Sequence, residues 1–177
     1  APNSEYDAAM LLYSGEQDVV FDHNTVDAGG SVAMYDAPAI VLGSSGVSLA
    51  SLRDNVFMSF ADTRGGFAGH AIIDSGASEG SVSGPRIAKA DYNAWDNPLA
   101  ASTAHYLPGL VAGTAGAHDV AKDPSFTGPV PEVPYQIDEG AVWLRELGVS
   151  QVLGHYRALY TPKAGSPLID AGDPADG

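Results

Sequence analysis

Phe21-Asp22-His23-Asn24-Thr25-Val26 returns as Leu52-Arg53-Asp54-Asn55-Val56-Phe57 and, more loosely, as Ala90-Asp91-Tyr92-Asn93-Ala94-Trp95. The Asn residues stand at 24, 55 and 93, so the intervals are 31 and 38 residues. Unequal intervals argue against a strict propeller or a leucine-rich solenoid. They suit a parallel β-helix, whose coils share strand and turn positions while loops of variable length leave one corner. Asn fits such a corner because it tolerates the left-handed turn. Its amide can also bond to the Asn one coil above, at the ~4.8 Å spacing of neighbouring strands. With Phe21, Leu52 and Ala90 pointing inwards, alternation sends Asp22, Arg53 and Asp91 outwards as an acid–base–acid column. We read that column as a ladder of surface ion pairs, each contributing about 0.5 kcal/mol, ahead of a substrate site.

Further short apolar runs surround the echo. Ala9–Tyr13, Asp18–Asp22, Ala39–Leu42, Leu49–Leu52, Val56–Met58 and Ala71–Ile73 are each closed by Gly, Asp, Asn or Ser, the punctuation of strands and turns. No three-four helical periodicity runs through residues 1–98. Residues 97–136 are rich in Pro, Gly, Ala and Thr, and Pro98, Pro108, Pro124, Pro129, Pro131 and Pro134 break regular structure there. Asp138–Leu147 predicts a helix, capped by Asp138 and stopped by Gly148. Ser150–Tyr160 predicts a second, with Val152, Leu153, Tyr156 and Leu159 on one side and Pro162 ending it.

Composition narrows the function classes. The 177 residues suit one domain, and 22 acidic against 8 basic side chains give a net charge of −14. Sixteen of the acids are Asp and six are Glu, a bias against long helices. The charge repels phosphate backbones and anionic lipid surfaces, so neither nucleic acid nor membrane insertion is expected. No apolar run approaches the ~18 residues that span a bilayer. With no cysteine, disulfides and thiolate metal sites are excluded. The absence of Cys fits an exported bacterial protein, periplasmic or extracellular, and many cytosolic ones as well, while abundant Asp, Gly, Ala, Ser and Thr with few Lys lean towards the extracellular side. No signal peptide is visible, since Ala8–Leu12 is apolar but short and no basic residues precede it; a leader removed before Ala1 or an unnatural start at Ala1 accounts for this, and the abrupt ends predict a piece of a longer polypeptide.

Asp123-Pro124-Ser125-Phe126, Tyr160-Thr161-Pro162 and Gly165-Ser166-Pro167-Leu168-Ile169-Asp170-Ala171-Gly172-Asp173-Pro174 together carry a family resemblance. They resemble the closing segment of bacterial right-handed parallel β-helix surface proteins of the pectate-lyase-like superfold, many described with a "choice-of-anchor" domain. Val19–Thr25 resembles a coil of such proteins. The resemblance implies an exported, all-β, right-handed parallel β-helix of which these are the C-terminal coils. Residues 1–98 are then coils. Residues 99–177 form a loop-rich segment with one or two short helices and a closing strand and turn, packed on the coils in one structural domain. Family members build more than the roughly four or five coils this length allows, so an open apolar end needs missing N-terminal coils or another protein chain to cap it.

Gly76-Ala77-Ser78-Glu79-Gly80 has the nucleophile-elbow spacing, but Ser81-Val82-Ser83-Gly84-Pro85 is poor helix material, so a loop is expected. A β-helix lyase needs a cation and a base, and a hydrolase needs two acids at set separation. His23, Arg53, Asp54 and Asp91 are the candidates, drawn from a wider set with His70, Asp74, Arg86 and Lys89; no spacing singles out a pair. Asp170, Asp173 and Asp176 recur every third residue, unlike an EF-hand loop, and His105, His118 and His155 form no i, i+4 pair. No cofactor or designed metal site is expected, although so many Asp leave adventitious or structural calcium open. Tyr92, Trp95, Tyr106, Tyr135, Trp143, Tyr156 and Tyr160 can stack on sugar rings or simply cover the flank of the fold. The expected function is a non-catalytic extracellular module, structural or adhesive, contacting polysaccharide or a larger assembly. The alternative is a polysaccharide lyase or glycoside hydrolase with catalytic residues partly outside this chain.

Overall fold

Short apolar runs closed by turn residues become strands β1 (Met10–Leu12), β2 (Val19–Asp22), β3 (Thr25–Asp27), β4 (Asp36–Ala37), β5 (Ile40–Leu42) and β6 (Leu49–Arg53). They continue as β7 (Val56–Met58), β8 (Ala61–Asp62), β9 (Ile72–Asp74), β10 (Ala90–Asp91) and β11 (Ala94–Asp96). The structure, a computed structural model, describes residues 10–12, 15, 17–27, 36–37, 39–43, 46–58, 61–62, 72–74, 84–96, 105–127 and 149–176. The Gly76–Gly80 motif, His70, the Asp138–Leu147 helix, Tyr135 and Trp143 lie outside the described residues.

The strands pair in parallel as three small sheets, ordered β1-β5-β9, β2-β6-β10 and β3-β7-β11, while β4 and β8 form an antiparallel pair. The register follows the sequence echo. Phe21 faces Leu52, which faces Ala90, and Val26 faces Phe57, which faces Trp95. Ile40, Leu42, Leu49, Leu52, Phe57, Ile72, Ile87 and Trp95 are fully buried, and β5 is covered on both faces, since Val41 is buried as well. Phe57 and Trp95 stack at 4.5 Å between ring centres, and His105 stacks on the other face of Trp95 at the same distance. Burying side chains of this size is the dominant favourable term, about 1.5–3 kcal/mol each.

The chain divides into two compact units. The first comprises 1–123 and 171–177, the second 124–170. The second is organised around helix α1 (Val149–Leu159), where the sequence predicts one over Ser150–Tyr160. Arg157 in its last turn suits the negative end of the helix. Thr161 Oγ1 donates to the Arg157 carbonyl and Thr127 Oγ1 to that of Ala158, so two orphan carbonyls of the last turn are satisfied. Leu153, expected on the apolar side, is 48% exposed.

The fold-class expectation is corrected. Sheets of three short strands together with α1 make a mixed, α/β-like arrangement, and no closed or solenoid β-helix is present among the described residues. The physical reason lies in what the echo encodes. A shared Asn and apolar alternation fix which residues lie side by side; they do not fix closure into an all-β solenoid.

Candidate functional site

The corner between the second and third strand of each row is built the same way three times. His23, Asp54 and Tyr92 take left-handed backbone angles of 59, 56 and 56°, each immediately before its Asn. The conformation costs a non-glycine residue roughly 1 kcal/mol and turns the next N–H along the row axis. Asn24 then donates its main-chain N–H and Nδ2 to Asn55 Oδ1 at 2.9 and 3.1 Å. Asn55 donates likewise to Asn93 Oδ1 at 3.1 and 3.0 Å. Asn93 N–H donates to Asp119 Oδ1 at 2.8 Å, so an aspartate closes the ladder. Asn55 and Asn93 are buried, and their Nδ2 groups also donate to the Phe21 and Leu52 carbonyls.

All four nominated residues stand on these rows. Arg53 donates from Nη1 to Asp173 at 2.8 Å and from Nε to Ser51 Oγ at 3.0 Å, with Asp22 3.5 Å from Nη2. Asp22 also accepts the Arg53 N–H and the Ser51 hydroxyl, each at 2.8 Å. The acid–base–acid column exists in register, with Asp22, Arg53 and Asp91 side by side, and a further carboxylate, Asp173, 120 residues on, pairs with Arg53. Asp54 Oδ1 accepts the Asp173 N–H at 2.6 Å, which ties residues 171–176 to the turn of the second row. His23 is exposed at the corner of the first row.

Asp91 belongs to a second cluster. It accepts from the His118 N–H and from Tyr92 N–H, and His118 Nδ1 lies 2.7 Å from its Oδ2. Burial pushes the Asp91 carboxyl up, but the hydrogen bonds from His118 and Tyr92 outweigh it and hold the group below its ordinary value. Tyr92 stacks on the exposed His118 ring at 4.5 Å.

Asp119 is the centre that sequence reasoning missed. Its Oδ2 accepts from Trp95 Nε1 at 2.6 Å and from Tyr106 Oη at 2.9 Å. Burial raises its pKa against the opposing effect of those donors. Burial and the Asp119 charge push the Tyr106 phenol up as well. Trp95 is 2% exposed, which corrects its place among the surface aromatics. A cleft of about 430 Å³ opens here, lined by His105, Tyr106, Leu107, Val111, Gly116 and Asp119 among others. Gly116 is required: a Cβ there would sit 2.5 Å from Asp119 Oδ2, at a backbone φ of +61°. The available signal was a fourth echo. His118-Asp119-Val120 parallels Asp54-Asn55-Val56, and Val120 bridges to Ala94.

Elsewhere Arg86 and Asp74 form a buried ion pair at 2.6 Å, with Arg86 Nε donating to the Val47 carbonyl. Among the described residues, no group of three or more His, Cys, Asp or Glu side chains is placed to hold a metal ion. No described helix is long and apolar enough to cross a membrane. No protein-family model, curated protein or solved structure matches the chain.

Proposed function

We propose that the chain is a non-catalytic extracellular or cell-surface module whose work is structural or adhesive. One observation carries the reading: Arg53, the cation among the four nominated residues, is bracketed by Asp22 and Asp173 of the same chain. A lyase needs its cation to neutralise a uronate carboxylate. Here that charge is already answered, and the surrounding Asp22, Asp54 and Asp173 leave the patch net negative, so an acidic sugar is repelled. A hydrolase needs one carboxylic acid poised to give a proton and a second carboxylate beside it. Among the described aspartates the raised ones are Asp119, whose two oxygens accept from Asn93, Trp95 and Tyr106, and Asp96, which burial and the Asp123 charge push up.

The test is incubation with a panel of acidic and neutral polysaccharides. The expected result is neither new unsaturated ends nor new reducing ends. Turnover that disappears in Arg53→Ala or Asp91→Asn, with the variant still folded, would establish the lyase or hydrolase reading instead.

A further inference from the structure

Among the described residues, the first row of strands forms the terminal edge of its three sheets. Among the described residues, no strand pairs with the outer side of β1, β2 or β3, each of which is the terminal strand of its sheet. Val19 and His23 donate their N–H groups inward, to the carbonyls of Ser48 and Arg53. Alternation therefore turns the N–H of Val20 outwards, and its side chain is 64% exposed. Met10, Leu12, Val19, Phe21 and Val26 are partly buried and pack against the core. Unpaired strand edges of this kind are templates for another strand.

The Asn ladder says what such a strand must carry. Each Oδ1 in it receives two N–H donors from the row before, and each Nδ2 reaches a carbonyl of that row. Asn24 breaks the pattern. Its Nδ2 bends back to the Asp22 carbonyl of its own row at 2.8 Å, and no described residue donates to its Oδ1. A further row would supply those donors.

A second copy does not. Head-to-tail, the incoming end would present Asp119, whose N–H is spent on the Gly116 carbonyl and whose carboxylate only accepts. Related by a two-fold axis, two Asn24 Oδ1 acceptors would meet, and the exposed Asp18 and Asp27 would face their own images. Charge then selects the occupant, since the edge is flanked by these acids on a chain of net charge −14.

We propose that the β1–β2–β3 edge docks an extended, positively charged segment of a partner polypeptide by parallel strand addition, with an Asn or equivalent donor of that segment seated on Asn24 Oδ1. Main-chain pairing supplies affinity in this mode of recognition, and alternate side chains supply specificity. The proposal extends the reading of the chain as a binding scaffold, and the two fail separately: polysaccharide turnover overturns that reading and leaves strand capture standing.

The probe is a labelled synthetic peptide of residues 19–27 carrying D22K and D27K, titrated against the whole chain by fluorescence anisotropy. Its control is the unaltered 19–27 peptide, which has the same pairing pattern and the opposite charge. Saturable binding of the basic peptide is expected, at least tenfold tighter than the control and weakened by added salt. Val20→Pro removes the outward N–H at an edge position that tolerates proline, and Asn24→Ala removes the acceptor. Each is expected to weaken binding at least tenfold, and either one that folds is sufficient. No saturable binding, equal binding of the two peptides, or full binding by a folded variant overturns the proposal.

Discussion

Replacing Asn55 by Ala removes the middle of the ladder and leaves the chain trace unchanged. The Phe21 carbonyl loses its 2.8 Å donor, and the Asn24 N–H and Nδ2 lose the Oδ1 at 2.9 and 3.1 Å. Asn55 is 1% exposed, so water cannot replace the inner contacts without opening the rows. An orphaned buried polar group costs about 1–3 kcal/mol. Counting the Phe21 carbonyl in full and the half-buried Asn24 donors in part gives a loss of about 3 kcal/mol. Asn24→Ala acts at the open end, where solvent answers the freed groups, and costs about 1 kcal/mol on the same scale. Urea unfolding followed by circular dichroism measures both, with an unchanged denaturant slope showing that only stability moved. A loss below about 1 kcal/mol for Asn55→Ala, or an equal loss for Asn24→Ala, would refute the ladder as the organising element.

Gly116→Ala should destabilise the chain by about 1–3 kcal/mol, through its left-handed backbone and the close approach of Asp119. The Trp95 emission should shift as its Nε1 bond is disturbed; a stable variant with unaltered fluorescence would contradict the arrangement. Carboxyl titrations followed by NMR should place Asp91 below and Asp119 above the ordinary aspartate value. Asp91 then adds stability that is present above the unfolded-state value and lost as pH falls through its lower folded value. For Asp119 the sign reverses: stability declines as pH rises from about 3.8 through the raised folded value, and Asp119→Asn should remove that decline. Coincident titration of the two groups would contradict both environments.

The rows were legible because their signal is local and repeated. Asn24, Asn55 and Asn93 each follow a left-handed residue and precede an apolar strand, so the echo fixed the register of β2, β6 and β10 and of β3, β7 and β11. The fourth row was not read because Asp119 replaces Asn and its interval from Asn93 is 26 residues, shorter than the others. The partner of Arg53 was equally hidden. Asp173 is 120 residues away, and nothing in the Asp-rich C-terminal run distinguishes it from Asp170 or Asp176. Alternation within the echo placed Asp91 beside Arg53, as the register has it, but gave no sign of the His118 N–H and ring, reached only through the fourth row, that engage it. The all-β solenoid failed for a related reason: pairing between neighbours is written in local pattern, and the global closure of the sheets is not.

The central claim is that the charged residues nominated for chemistry hold the chain together. A double-mutant cycle on Arg53→Ala and Asp173→Ala tests it most directly, since their 2.8 Å contact ties residues 171–176 to the second row. Both side chains are mostly buried, at 26% and 16% exposure, so a coupling of about 1 kcal/mol in urea unfolding is predicted. Additive losses, within about 0.3 kcal/mol, would contradict the claim.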